Sequence, residues 1–118
     1  MTPAKPLGPY TPVVRSGKWI VCSGQLGMRD GSLVEGGVGA EAAQAVANLA
    51  GLLESEGAAL TDIVKTTVFL TNMDDFAAMN EAYVAAFGDH RPARSTIGVA
   101  ALPLAGASVE IEAWARKA

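Results

Sequence analysis

Val109-Glu110-Ile111-Glu112-Ala113-Trp114 alternates between two chemistries with the two-residue period of a β-strand. Val109, Ile111 and Ala113 fall on one side, and Glu110, Glu112 and Trp114 on the other. The segment before it, Arg94 to Ala101, alternates too, with Ile97 and Val99 opposite Arg94, Thr96 and Gly98. With both aliphatic sides turned to a core, the reverse of the sheet presents Arg94, Thr96, Glu110, Glu112 and Trp114. Either Trp19, Val21 and Ser23 or Lys65, Thr67 and Phe69 join them there.

Working outward, Ile63-Val64-Lys65-Thr66-Thr67-Val68-Phe69-Leu70 is rich in β-branched residues and reads as a strand, as does Trp19 to Ser23. Tyr10 to Arg15 reads as extended, and Asp30-Gly31 marks a turn within a glycine-rich loop that holds a short hairpin near Leu33-Val34. Ala42, Ala45, Val46, Leu49, Leu52 and Leu53 recur at helical spacing, and Gly57 stands where a left-handed C-terminal cap belongs. A second helix carries Phe76, Met79, Tyr83 and Phe87 on one face, with start signals in Asn72 to Asp75 and a stop at Gly88. The order β-β-α-β-α-β-β, with both helices covering the aliphatic face of one sheet, is an α+β sandwich in a single domain over residues 1–118. Trp114 on the uncovered face calls for a partner surface, which self-association most often supplies.

Composition removes several classes. The lone Cys22 cannot form an intramolecular disulfide and reads as a buried, inert thiol. With 9 basic and 12 acidic residues, a net charge of −3 and no basic cluster, there is no electrostatic footprint for nucleic acid. The longest apolar stretch, Ile97 to Ala107, is broken by Pro103 and is too short to span a membrane. Met1 to Tyr10 carries no apolar leader, so a cytoplasmic location is expected. No metal-ligand spacing, Ser-His-Asp order or phosphate loop is present, and His90, alone in a polar loop, reads as a surface histidine.

Six motifs occur in order: Gly8-Pro9-Tyr10, Ser23-Gly24-Gln25, Val64 to Leu70, Asp75-Phe76 with Asn80, Pro92-Ala93-Arg94-Ser95, and Val109 to Ala113. Together they resemble the RidA (YjgF) family of reactive intermediate deaminases, from about Gly8 to Arg116. The resemblance implies a chorismate-mutase-like fold, a two-layer sandwich of a mixed sheet and two helices. It also implies a homotrimer whose sheets form a central barrel with clefts between subunits. The implied reaction is hydrolysis of 2-imino acids, such as 2-iminobutanoate and 2-iminopropanoate, to 2-keto acids and ammonia, with no cofactor or metal. The alternative is a trimeric ligand-binding or regulatory module that keeps the pocket without efficient turnover. Ribonuclease activity, ascribed to some relatives, fits poorly with the acidic balance.

By this resemblance Arg94 captures the substrate carboxylate, for which a guanidinium fork is suited. Its bland reading is a surface salt bridge. Glu112 matches the glutamate that orients or activates the attacking water, with Glu110, on the same face, the less favoured candidate. Tyr10 lines the cleft or anchors the N-terminal strand. Ser23 faces the cleft, and Thr96 stands where many relatives carry Cys. Asn80 is polar on an apolar stripe and reads first as satisfied burial, second as ordering the cleft. Thr11-Pro12, Gly27, Gly98, Ala101 and a longer Leu102 to Ser108 connection depart from the family pattern and bear on the cleft rim.

Overall fold

A computed structural model describes residues 6–118; residues 1–5, part of the segment read above as lacking a leader, lie outside it. The chain runs through β1 (Val13–Ser16), β2 (Trp19–Leu26), β3 (Met28–Arg29), β4 (Ser32–Leu33), α1 (Gly37–Glu54), β5 (Ile63–Leu70), α2 (Phe76–Phe87), β6 (Ala93–Gly98) and β7 (Val109–Arg116). Short 3₁₀ turns at Leu60–Asp62 and Met73–Asp75 lead into β5 and α2. The main sheet has the order β1-β2-β7-β5-β6, antiparallel throughout except for the parallel pair β5/β6, which α2 bridges. This is the expected α+β layering with a mixed sheet. The small β3/β4 hairpin turns at Asp30-Gly31, both at positive φ as a tight hairpin requires.

The periodicities decide what is buried. Every residue of the α1 stripe from Ala42 to Leu53 is buried against Ile20, Cys22, Val68, Leu70, Val109, Ile111, Ala113 and Ala115 of the sheet. Burial pushes the Cys22 thiol up to about 11, with the Glu56 charge adding to it, so it stays a protonated core thiol at neutral pH. Gly57 ends α1 in the left-handed conformation, with its own N–H donating to Glu54 O and the Ala58 N–H to Leu53 O. That is the Schellman pattern, which satisfies carbonyls the helix leaves open. Arg15 completes this end: Nη2 donates to Glu56 O at 2.8 Å, Nη1 donates to Lys117 O at 2.9 Å, and Nε lies 3.4 Å from the Glu56 carboxylate. Beneath α2, the Tyr83 and Thr66 hydroxyls share a buried hydrogen bond of 2.7 Å. Burial raises the Tyr83 pKa, partly offset by that bond and by nearby arginines.

One expectation is overturned, and it concerns the site. Arg94 and Thr96 do not share a face with Glu110 and Glu112. Along the parallel pair Arg94 lies beside Thr66, Thr96 beside Val68 and Gly98 beside Leu70, all on the helix side. Across β7, Glu112 lies beside Thr67 and Glu110 beside Phe69, on the open side. Ile97, expected in the core, points to the open side and is 47% exposed. The reason is that β6 is an edge strand with little apolar burial to secure, so hydrogen-bonded register with β5 sets its faces and its hydropathy alternation does not.

The open side otherwise matches expectation, and both groups offered for it are present. Trp19 and Val21 lie beside Arg116 and Trp114, while Lys65 and Thr67 lie beside Trp114 and Glu112. Trp19 and Trp114 meet edge to face with centroids 6.3 Å apart, and the Arg116 guanidinium sits 5.9 Å from the Trp19 ring. Both tryptophans and Val14 are exposed in the single chain.

Candidate active site

The predicted residues fall into two clusters, with Arg94 and Thr96 on the helix side of the sheet and Glu110 and Glu112 on its open side. The first gathers at the edge between β6 and α2. Arg94 is half-buried, its guanidinium carbon 4.9 Å from the Tyr83 ring centroid and 5.7 Å from that of Phe76, with Nη1 3.9 Å from Met79 Sδ. Phe76, Met79 and Tyr83 share one helix face, so α2 offers the cation two aromatic surfaces and a soft sulfur. Among the described residues Arg94 forms no ion pair. Asn80, one turn from both rings, carries a buried Oδ1 with no hydrogen-bond partner, so the expected satisfied burial is not found there. Thr96 follows Arg94 on the same side of β6. A cation without a counter-ion, beside an acceptor without a donor, is an arrangement that a small carboxylate bearing an N–H satisfies.

The second cluster forms where β2 is interrupted. Between Cys22, paired with Ala113, and Gln25, paired with Ile111, β2 has one residue more than β7. This bulge at Ser23-Gly24 turns Ser23 away from β7: its N–H donates to Pro12 O at 2.8 Å and its hydroxyl to Thr11 O at 2.7 Å. The segment bearing Tyr10 is thereby fastened to the bulge. The Tyr10 hydroxyl accepts from the Leu7 N–H at 3.2 Å, which leaves its proton available, and the ring is largely exposed. Leu7, Tyr10, Pro12, Gly24, Gln25 and Asn48 line a small hollow of about 30 Å³ here. Across the bulge stands Glu110, half-buried, its pKa raised by burial first and by the neighbouring Glu112 charge second.

Pattern reading missed the aromatic bed of Arg94 and the contact between Gly24 and Glu110. Helix spacing marked Phe76, Met79 and Tyr83 as one face but not what that face meets, and no periodicity announces a bulge. His90 is also more than a surface residue: Nε2 donates to Ile63 O at 2.8 Å and the half-buried ring lies near Phe87, which holds the β6 approach in place. No cluster of three or more His, Cys, Asp or Glu fit for a metal occurs among the described residues. Nor is any helix among them long and apolar enough to cross a membrane.

The family model described as Endoribonuclease L-PSP matches residues 2–117. The chain belongs to this family, the YjgF/RidA family. Among its members, the human protein named 2-iminobutanoate/2-iminopropanoate deaminase is 45% identical over 111 residues, covering 92% of this chain and 80% of the human one. The Schizosaccharomyces pombe protein mmf2, named as mitochondrial, is 43% identical over 107 residues, covering 89% of this chain and 85% of its own. A crystal structure of E. coli TdcF with bound serine superposes with a TM-score of 0.91 at 33% identity, covering 98% of this chain and 94% of TdcF. The YjgF/RidA fold is therefore that of this chain, and small-molecule binding occurs within the family.

Proposed function

We propose that this protein hydrolyses small 2-imino acids, of the 2-iminobutanoate and 2-iminopropanoate type, to 2-keto acids and ammonia in clefts between the subunits of a homotrimer. The observation that carries the reading is Arg94, a half-buried guanidinium on an aromatic bed without a counter-ion, beside the unpartnered Asn80 Oδ1. Because the sheet separates Arg94 from Glu110 and Glu112, Arg94 of one subunit meets the carboxylates of the next. The exposed Trp19 and Trp114 supply the surface for that association. The relative named as a deaminase supplies the substrate class.

Arg94 grips the substrate carboxylate, Asn80 Oδ1 accepts the imine N–H, and Thr96 packs beside them. A water then forms a C–O bond to the imine carbon as its proton passes to a carboxylate and the C=N electron pair moves to nitrogen. That nitrogen takes up protons, the C–N bond breaks, ammonia leaves and a carbonyl remains. Of the two carboxylates on the open face, Glu112 takes the proton from the water, as the resemblance to the family assigns. Glu110, half-buried beside it with its pKa raised by burial first and by the Glu112 charge second, is its neighbour, while Tyr10 and Ser23 shape the same wall. A cytoplasmic setting and the absence of any cofactor belong to the same reading.

The test is direct. 2-Iminobutanoate generated from threonine by a dehydratase should disappear faster with the protein than in buffer, and sedimentation should give three times the 12.1 kDa chain mass. Rates equal to buffer would sink the deaminase reading. Ligand binding without turnover would favour the module, a reading that the serine-bound relative makes concrete. A stable monomer would remove the shared cleft.

Glu112→Gln tests the chemistry, and Glu110→Gln tests the fold. With Glu112→Gln, turnover of 2-iminobutanoate should fall by about 10²-fold or more. The raised pKa of Glu110 predicts an effect on stability. A carboxyl whose folded pKa exceeds its unfolded one stabilises the fold while protonated, and that contribution is lost as pH rises through the folded pKa. Glu110→Gln removes the cost of the buried charge, so its Tm at neutral pH should rise above wild type while the two converge in acid.

A further inference from the structure

A charged side chain taken out of water is usually held by an opposite charge, and the ion pair then occupies its hydrogen-bond donors. Arg94 is held differently. Its guanidinium carbon lies 4.9 Å from the Tyr83 ring centroid and 5.7 Å from that of Phe76, and among the described residues no carboxylate pairs with it. Nη1 meets the weakly accepting Met79 Sδ at 3.9 Å. An aromatic face attracts the cation through its quadrupole and takes no N–H in return. Arg91, the other arginine near Tyr83, shows the contrast, since its Nη1 donates to the carbonyls of Gly88 and His90.

Of the two rings, Tyr83 is the fixed one. Phe76 is exposed, whereas Tyr83 is buried and its hydroxyl shares a 2.7 Å hydrogen bond with that of the fully buried Thr66. Phe87 backs the ring, with centroids 4.6 Å apart. Thr66 is also the ladder partner of Arg94 across the β5/β6 pair. One residue of β5 thus sets both the backbone of the arginine and the far end of the ring on which its head rests. We propose that Tyr83 is a positioning residue, whose ring, pinned through its hydroxyl by Thr66, holds the Arg94 guanidinium in place with its N–H donors free for a carboxylate. The proposal rests on the reading of Arg94 as the substrate grip and adds what readies that grip. A loose arginine would have to be ordered when substrate binds, and the ring orders it beforehand.

The probe is 2-oxobutanoate, the stable keto acid that carries the same carboxylate. With Tyr83→Leu its Kd, read by calorimetry, should rise about tenfold. KM for 2-iminobutanoate should rise by a similar factor with kcat within about threefold of wild type, because the carboxylate is gripped alike before and during the reaction. Tyr83→Phe keeps the face and loses the pin, so its Kd should rise by no more than about threefold. Its Tm should nevertheless fall by several degrees, since the Thr66 hydroxyl is left buried without a partner. Adding Thr66→Val removes that orphan and should restore most of the lost Tm. Binding and stability then separate, which a merely structural role for Tyr83 would not produce. The Arg94 Nε–Hε resonance reads the contact directly. The ring current of residue 83 should displace it in wild type and in Tyr83→Phe, and Tyr83→Leu should return it toward the position of a free arginine.

A folded Tyr83→Leu protein that binds 2-oxobutanoate as tightly as wild type would overturn the proposal. So would a Tyr83→Phe protein that binds it as weakly as Tyr83→Leu. If Tyr83→Leu fails to fold, pentafluorophenylalanine at position 83 carries the test. That ring has a similar outline and a reversed quadrupole, so binding should weaken about tenfold relative to Tyr83→Phe, and equal binding would overturn the proposal. An Arg94→Ala protein that binds 2-oxobutanoate like wild type would refute the reading of Arg94 as the grip instead. The Nε–Hε resonance alone would then decide whether Tyr83 holds the arginine.

Discussion

Arg94→Ala should lower kcat/KM for 2-iminobutanoate by about three orders of magnitude, the largest effect expected of any single change in the site. A bidentate grip on a carboxylate comprises two charged hydrogen bonds, each contributing about 1.5–3 kcal/mol, and each 1.4 kcal/mol is tenfold in rate. The half-buried position strengthens the estimate, because such pairs are weakened by water on open surfaces and less so where it is partly excluded. Arg94→Lys should recover little of the activity, since an ammonium lacks both the planar fork and the stacking on Tyr83 and Phe76. The fold should survive either change. Losing the contacts to the two rings costs about 1–2 kcal/mol, and circular dichroism with a thermal melt would show whether the protein remains native. An Arg94→Ala protein as active as wild type would leave the unpaired guanidinium without its assigned role.

The second large effect concerns stability. Gly27→Ala should destabilise the protein by about 3 kcal/mol or more, with Tm falling by roughly 10 °C or more. A Cβ there would stand 2.5 Å from Cα and 2.7 Å from the carbonyl oxygen of Glu41, both main-chain atoms of α1. A helix held on its other side by the sheet cannot retreat without opening the core of Leu49, Leu52 and Leu53. The same residue is tied into the connection that leads to the last strand, since the Glu41 carboxylate accepts the Ser108 N–H at 2.8 Å. Gly27 therefore contrasts with Gly24. The added methyl strikes main chain at Gly27 and only the end of the Glu110 side chain at Gly24, so the loss of Tm should be large for Gly27→Ala and small for Gly24→Ala. Calorimetry of the two alanine variants side by side checks this, and equal Tm values would contradict it.

The helices and most strands were legible because each has to bury one face. The stripe from Ala42 to Leu53 and the set Val109, Ile111 and Ala113 are buried as their spacing requires. Gly57 and Gly88 mark the helix ends for local reasons that a sequence carries in full. The family was legible too, through six motifs in order, and the family model over residues 2–117 bears it out. Its arrangement was not. Arg94 and Thr96 were read onto the face of Glu110 and Glu112 because Ile97 looked like the core-facing member of its strand. Edge strand β6 has no such obligation, and Ile97 faces outward.

By itself, then, the sequence determined an α+β chain of the YjgF/RidA family with an arginine, two carboxylates and an unshielded tryptophan face. Alternation says which residues of one strand share a side, and hydrophobic burial makes that signal reliable wherever a face is covered. Only the tertiary structure decided which sides of different strands coincide. That depends on hydrogen-bond register between β5 and β6 and on one extra residue in β2, neither of which changes the hydropathy of any segment. Those two details place the cation and the carboxylates on opposite faces of one sheet, which is the ground for proposing a site shared between chains.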